Sequence, residues 1–158
     1  MEKTNAMRIL DQKKIKYDVL EYPHEEGVCV DAIDVAILLD QDPNQVFKTL
    51  VTQGNDKKYY VCVLPATKEL DLKKAAAHFK VKSLSMILVK ELLSTTGYIR
   101  GGCSPIGMKK QFKTIIDKSA LDYDKIMFSG GKIGVQIVMN PNDLVKVINA
   151  SFNDLGRE

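Results

Sequence analysis

The chain has 158 residues, of which 45% are hydrophobic and 27% charged, with 23 basic residues against 20 acidic ones and a net charge of +3. That balance is globular and excludes a disordered or fibrous chain, while a charge of this size does not by itself demonstrate nucleic-acid binding. No run reaches the ~18–20 apolar residues of a membrane helix and no signal-type apolar stretch follows the polar start, so the expectation is one soluble domain, residues 1–158, in the cytoplasm.

In chain order, Thr4 is placed to cap a first helix carrying Ala6, Ile9 and Leu10 on one side. Residues 16–22 alternate as a strand, and a polar loop follows over 23–27. Asp31 caps a second helix running to Leu39, with Ile33, Ala36, Ile37 and Leu38 as its apolar contacts. Residues 46–52 contain a strand, and residues 59–64 form a β-rich run suited to burial on both faces, stopped by Pro65. Asp71 caps a helix with Leu72, Ala75, Ala76 and Phe79, and residues 90–95 make a weaker helical turn. Residues 113–117 and 125–129 are short strands. In a further strand over 134–139, Val135, Ile137 and Met139 share one face and Gln136 and Val138 the other. Asn140 caps a last helix, with Pro141 at its first position. This order points to a mixed α/β domain with a mixed or largely antiparallel sheet, open to closure as a barrel; a regular βαβ alternation is missing.

The chemistry-bearing residues exclude more than they assign. Cys29, Cys62 and Cys103 are odd in number and widely spaced, so they form neither a disulfide framework nor a paired metal motif. With only His24 and His78 available, no metal site is expected. Cys103 has no histidine placed by motif to activate it and reads as a buried structural thiol. Lysines cluster at 13–16, 57–58, 73–74 and 109–113, consistent with solvated faces or with phosphate attraction. Lys48 sits where a helix runs into a strand, as a surface cation or as one aimed at a phosphate or carbonyl. Residues 97–107 hold four glycines and one proline in eleven residues, a shaped loop whose successive N–H groups at Gly101 and Gly102 can hold an oxyanion or simply turn the chain. Residues 129–134 (SGGKIG) lack the spacing of a nucleotide-phosphate loop, and no nucleophile-elbow motif is present.

Taken together, residues 46–51 (VFKTLV), 63–66 (VLPA), 69–76 (ELDLKKAA), 96–110 (TGYIRGGCSPIGMKK), 129–136 (SGGKIGVQ) and 140–144 (NPNDL) resemble the YbaK/ProX family of free-standing tRNA editing proteins, over nearly the whole chain. The resemblance implies a barrel-type mixed β-sheet surrounded by helices. It also implies an aminoacyl-tRNA deacylase acting on mischarged tRNA, with Cys-tRNA(Pro) as the leading substrate, prolyl-tRNA synthetase as a partner and no cofactor. Such a second site answers a physical limit: small side chains differ by only ~1–3 kcal/mol in a hydrophobic pocket. Carried over by position, Lys48 matches the family's key lysine, expected to hold the 3′-terminal phosphates or orient the ester. Gly101 and Gly102 match the loop facing the aminoacyl carbonyl, and Tyr22, Thr49 and Ser129 match pocket residues. Gln136 stands where the family has an aspartate; it can hydrogen-bond but carries no charge. Pro23 and residues 28–30 also depart from the family pattern. Three readings follow: cleavage assisted by the substrate's own thiol, water-driven cleavage of Ala-tRNA(Pro) or another small aminoacyl-tRNA, and a non-catalytic module binding tRNA or a synthetase.

Overall fold

Four of the five α-helices among the described residues begin where a short polar side chain takes up free backbone N–H groups. In the computed structural model, which describes residues 2–158, Met1 of the expected domain lies outside the described residues. Thr4 accepts from the Met7 N–H and opens α1 (Asn5–Gln12); Asp31 accepts from the Asp34 N–H and opens α2 (Ala32–Leu39). Asp71 accepts from the Lys73 and Lys74 N–H groups at α3 (Leu72–Phe79). The next helix, α4 (Val89–Thr96), instead has Glu91 accepting from the Leu88 N–H at 3.3 Å. Asn140 accepts from the Asn142 and Asp143 N–H groups at α5 (Pro141–Val147).

The strands are β1 (Asp18–Glu21), β2 (Phe47–Gly54), β3 (Tyr59–Pro65), β4 (Leu84–Met86), β5 (Lys113–Asp117), β6 (Ile126–Ser129), β7 (Val135–Met139) and β8 (Ala150–Asn153). They form two sheets: an antiparallel one ordered β1-β7-β6 and a mixed one ordered β4-β2-β3-β5-β8, in which β3/β5 and β5/β8 are parallel. The mixed α/β class is as expected, but the strands do not close into one barrel. The sheets meet through an isolated parallel bridge, Val46 with Met127, and then part. β4 and β8 were not anticipated from the sequence.

As its apolar run predicts, β3 is buried on both faces. Val61 and Val63 enter the main core with Leu10, Phe128 and Ile137, while Cys62 and Leu64 enter a second core with Ala75, Ala76 and Phe79. The α2 expectation needs correction. Val35 and Ala36 are buried with Ala32 and Leu39 beside them, whereas Ile33, Ile37 and Leu38 are exposed. A nearly continuous apolar run has no periodicity from which to choose a face, and the residues at i, i+3, i+4 and i+7 from Ala32 are the ones that pack.

One buried carboxylate ties the C-terminal segment to the mixed sheet. Asp117, fully buried at the end of β5, accepts from the Leu155 N–H (2.9 Å), the Ser119 hydroxyl (2.6 Å) and Lys68 Nζ (3.0 Å). Burial pushes its carboxyl up, but the bonds from Ser119, Leu155 and Lys68 prevail and hold it below the usual carboxylate value. The resulting stabilisation is present above the unfolded aspartate value of 3.8 and is lost as pH falls through the lower folded value. Because Lys68 is 38% exposed, Asp117→Ala is expected to cost about 3 kcal/mol, the lower end for a broken buried pair, read as a lowered urea midpoint at neutral pH.

Candidate functional site

The site forms where the two sheets part. At Val46 they touch, with the Met127 N–H donating to Gln45 O at 3.0 Å, and β4 pairs with β2 only from Thr52 onward. Backbone groups along a strand point alternately to its two edges. Val46 O faces β3, accepting from Ala66 N–H, whereas Val51 O faces the other edge and accepts from Ile87 N–H. Thr49, two residues before Val51, therefore turns its N–H and C=O to the edge that neither β4 nor β6 covers. A cavity of about 300 Å³ fills this gap.

The antiparallel sheet supplies one wall as a row across its strands. Gln136 of β7 pairs with Ser129 of β6 and with Leu20 of β1, so all three side chains share a face. Tyr22, two residues beyond Leu20, falls on the same face, diagonal to Gln136. The opposite face carries Ile137, Val135 and Phe128 into the main core, as the alternation over 134–139 predicts. Tyr22, Gln136 and Ser129 all line the cavity.

Three oxygens of this lining are buried without any hydrogen-bond partner among the described residues: Tyr22 Oη, Thr49 Oγ1 and Gln136 Oε1. Tyr22 and Gln136 are only 4% and 5% exposed. A buried polar atom left unpaired costs about 1–3 kcal/mol, and all three belong to residues that line one cavity. Burial pushes the Tyr22 phenol above its usual value and keeps it protonated.

Lys48 and Thr49 are consecutive on β2, with side chains on opposite faces, and both line the cavity at the open edge. Lys48 Nζ reaches Ala66 O at 3.5 Å, and no carboxylate among the described residues lies within 4.0 Å of it. Burial pushes its ammonium below the ordinary lysine value, against the pull of the Glu69 and Asp31 carboxylates.

The glycine pair divides its duties. Gly101 lines the cavity at a positive φ of 86°, and a Cβ there would stand 2.9 Å from Cys29 Sγ and 3.3 Å from Cys29 Cα. Gly102 is not part of the lining. Its N–H donates to Ile99 O at 3.0 Å, and a Cβ there would meet Lys132 Cα at 2.9 Å, so it permits close packing of the 129–134 loop. Cys103 touches the cavity, but burial pushes its thiol up to about 12, which leaves it protonated and unreactive.

Sequence reasoning missed part of the lining. Cys29 is exposed on the wall, Arg100 and Asp31 are exposed at it, and Met86, Leu88 and Val89 form an apolar side. The signal for that side was the uninterrupted apolar run over 86–89, and for Cys29 the departure at 28–30. Asp31 was legible only as a cap.

Comparison with known proteins accords with this geometry. The aminoacyl-tRNA editing domain family matches residues 27–147. An Enterococcus faecalis protein, EbsC, provisionally named a Cys-tRNA(Pro)/Cys-tRNA(Cys) deacylase, is 44% identical over 154 residues, covering 98% of this chain and 93% of its own. A proline–tRNA ligase of Kosmotoga olearia is 28% identical over 101 residues, 64% of this chain and 17% of the ligase. A crystal structure described as a candidate trans-editing enzyme for prolyl-tRNA synthetase superposes with a TM-score of 0.82 at 22% identity over the full length of both chains, a likeness of fold. With its editing-domain match, a relative similar from end to end, and a cavity between parted sheets, this chain belongs to the aminoacyl-tRNA editing domain family of deacylases.

Proposed function

We propose that the chain is a single editing domain that removes cysteine from mischarged tRNA(Pro) after its release from the synthetase, with prolyl-tRNA synthetase as a working partner. The observation that carries this reading is one cavity lined both by Lys48, which forms no salt bridge among the described residues, and by three residues with unpartnered buried oxygens. The name of the Enterococcus relative supports cysteine, and the match to a segment of a proline–tRNA ligase supports tRNA(Pro).

In this mechanism the aminoacyl ester enters the gap between the sheets. Tyr22, Thr49, Ser129 and Gln136 hold the aminoacyl group, while Lys48 and the Gly101 N–H face the carbonyl. The substrate's thiolate sulfur attacks its own ester carbon, and the C–O bond to the terminal ribose breaks. The ribose oxygen takes up a proton, and cysteine leaves as a thiolactone that water opens. Lys48 stabilises the negative charge that builds on the carbonyl oxygen, where a cation in a water-poor site acts most strongly. Gly102 acts indirectly, by letting the two loops approach. No side chain of the enzyme is consumed, which suits a cavity whose buried thiol is protonated.

A second reading is favoured by the same oxygens. They offer hydrogen bonds to a bound water, and a water held there hydrolyses an alanyl ester that has no thiol. Single-turnover deacylation of cysteinyl-, alanyl- and seryl-tRNA(Pro) separates the two. Loss of the cysteinyl ester alone supports thiol assistance; equal loss of alanine supports water; survival of all three removes the deacylase reading. Cys29→Ser is expected to change the cysteinyl rate by less than about threefold, since an exposed thiol with no base placed beside it contributes little as a nucleophile. A loss of several orders would make Cys29 the attacking group.

A further inference from the structure

The cavity is longer than an aminoacyl group needs. Residues 46–51 all line it without a break, so it runs along the free edge of β2. At one end of that run Val46 bridges Met127, two residues before Ser129; at the other, Val51 O accepts from Ile87 N–H. The steps from Val46 to Val51 cover roughly 16 Å of strand, a span that a cysteinyl group alone does not fill. The volume of about 300 Å³ also reaches the range of pockets that take a drug-sized ligand.

The two ends differ in chemistry. Gln136 and Tyr22, which share a face with Ser129, are buried. The end at Ile87 is walled by Met86, Leu88 and Val89, which are 44%, 56% and 61% exposed and pack into none of the core clusters. Single exposed apolar side chains are ordinary on a protein surface. Three so close in the chain, all lining one cavity, make an apolar patch at its mouth, and such patches mark binding sites. Arg100 lines the same cavity, exposed and with no salt bridge among the described residues. The one lining carboxylate, Asp31, already accepts from the Asp34 N–H.

Beyond its ester, an aminoacyl-tRNA continues as a ribose, a flat base and a phosphodiester. A base offers a face that stacks on apolar surface, and a phosphate is an anion that a guanidinium grips with paired N–H groups. The order along β2, from buried polar residues through Lys48 to the apolar patch, is the order of aminoacyl group, ester and base in the substrate. A protein partner would also cover the patch, but it would leave the run between Thr49 and Ile87 without an occupant. The terminal nucleoside is tied to that place by its own bond to the ester.

We propose that Met86, Leu88 and Val89 seat the base of the substrate's 3′-terminal nucleotide and that Arg100 holds the phosphate preceding it. The inference rests on the deacylase reading above and names which part of the tRNA the site grips.

The test uses the full chain and three stable probes: alaninamide, 3′-alanylamino-3′-deoxyadenosine, and that nucleoside carrying a 5′-cytidylyl phosphate. Alanine keeps a reactive thiol out of the probes. Calorimetry is expected to show the nucleoside binding about tenfold or more tighter than alaninamide. Leu88→Ser and Val89→Ser are each expected to weaken the nucleoside by about threefold or more, through lost apolar contact, and to leave alaninamide unchanged. Leu88→Tyr, which supplies a flat face, is expected to bind the nucleoside at least as tightly as the wild type. The cytidylyl probe is expected to bind tighter still at low salt. Arg100→Gln is expected to cut the slope of its log affinity against log salt by about 0.7, the share of one single-strand phosphate contact, while Arg100→Lys keeps the slope. Equal affinity for alaninamide and the nucleoside, or full nucleoside binding in both serine variants, overturns the base seat. An unchanged slope in Arg100→Gln overturns the phosphate contact. Single-turnover deacylation of Cys-tRNA(Pro) keeps the two levels apart. The serine and glutamine variants are expected to need more enzyme for half-maximal rate, with a smaller loss at saturation. Cleavage by the wild type with no such rise in the variants defeats the nucleotide seat and spares the deacylase reading; survival of the ester with the wild type defeats both.

Discussion

Replacing Lys48 with alanine is expected to slow single-turnover deacylation of Cys-tRNA(Pro) by about 10²–10³-fold, the loss typical of removing one donor from a developing oxyanion. The protein is expected to remain folded and to gain stability. Burial depresses the Lys48 ammonium and no carboxylate among the described residues lies within 4.0 Å, so the charged side chain burdens the folded state. Lys48→Met, which keeps the aliphatic stem, is expected to raise the melting temperature and abolish most activity. Lys48→Arg is not expected to restore it, because a planar guanidinium is larger and directs its donors differently. The pH profile carries the same signature. The ammonium is present below its folded value and disappears as pH rises through it, so activity is expected to fall on the alkaline side before the ordinary lysine value of 10.5 is reached. Unchanged rates in Lys48→Ala would show that the charge takes no part in the chemistry.

Gly101→Ala is expected to be nearly as damaging, for a steric reason. At a φ of +86° an L-residue is strained by roughly 1–3 kcal/mol, and the new methyl would stand 2.9 Å from Cys29 Sγ and 3.3 Å from its Cα. The loop must shift, and a shift of about 1 Å in a positioned reactant can cost about 10²-fold in rate. Gly102→Ala is the instructive contrast. Its methyl would press on the Lys132 backbone away from the cavity, so the loss is expected mainly in unfolding free energy, with milder loss of rate per folded molecule. The comparison is made by measuring rate and urea midpoint for both variants; identical behaviour would mean that the pair acts only as a turn.

How much of this was legible depended on whether the signal was local. The caps at Thr4, Asp31, Asp71 and Asn140 were readable because each answers to N–H groups two or three residues away. The parity of Gln136 against Ile137 was readable because strand alternation is a property of one segment. What escaped was set at a distance. The edge strands β4 and β8 are short, and each exists through its neighbour: Gln53 pairing with Ser85, Ile116 with Phe152. The parting of the sheets after Val46 leaves no mark on the segments that part. The outward face of α2 could not be chosen from an apolar run, and the separate positions of Gly101 and Gly102 depend on Cys29 and Lys132, far away in the chain. Lys48, Tyr22, Thr49, Ser129 and Gln136 were placed in one site by resemblance, and the fold brings all five to the same cavity.

The claim on which the rest depends is that the substrate's sulfur, and no group of the enzyme, attacks the ester. Single-turnover deacylation of Cys-tRNA(Pro) beside the same tRNA carrying S-methylcysteine tests it by exchanging the thiol hydrogen for a methyl group. The cysteinyl ester is expected to be lost rapidly, with thiolactone or free cysteine as product, while the S-methyl ester decays no faster than in buffer. Equal loss of the two esters would contradict it and would place the nucleophile in the protein or in a bound water.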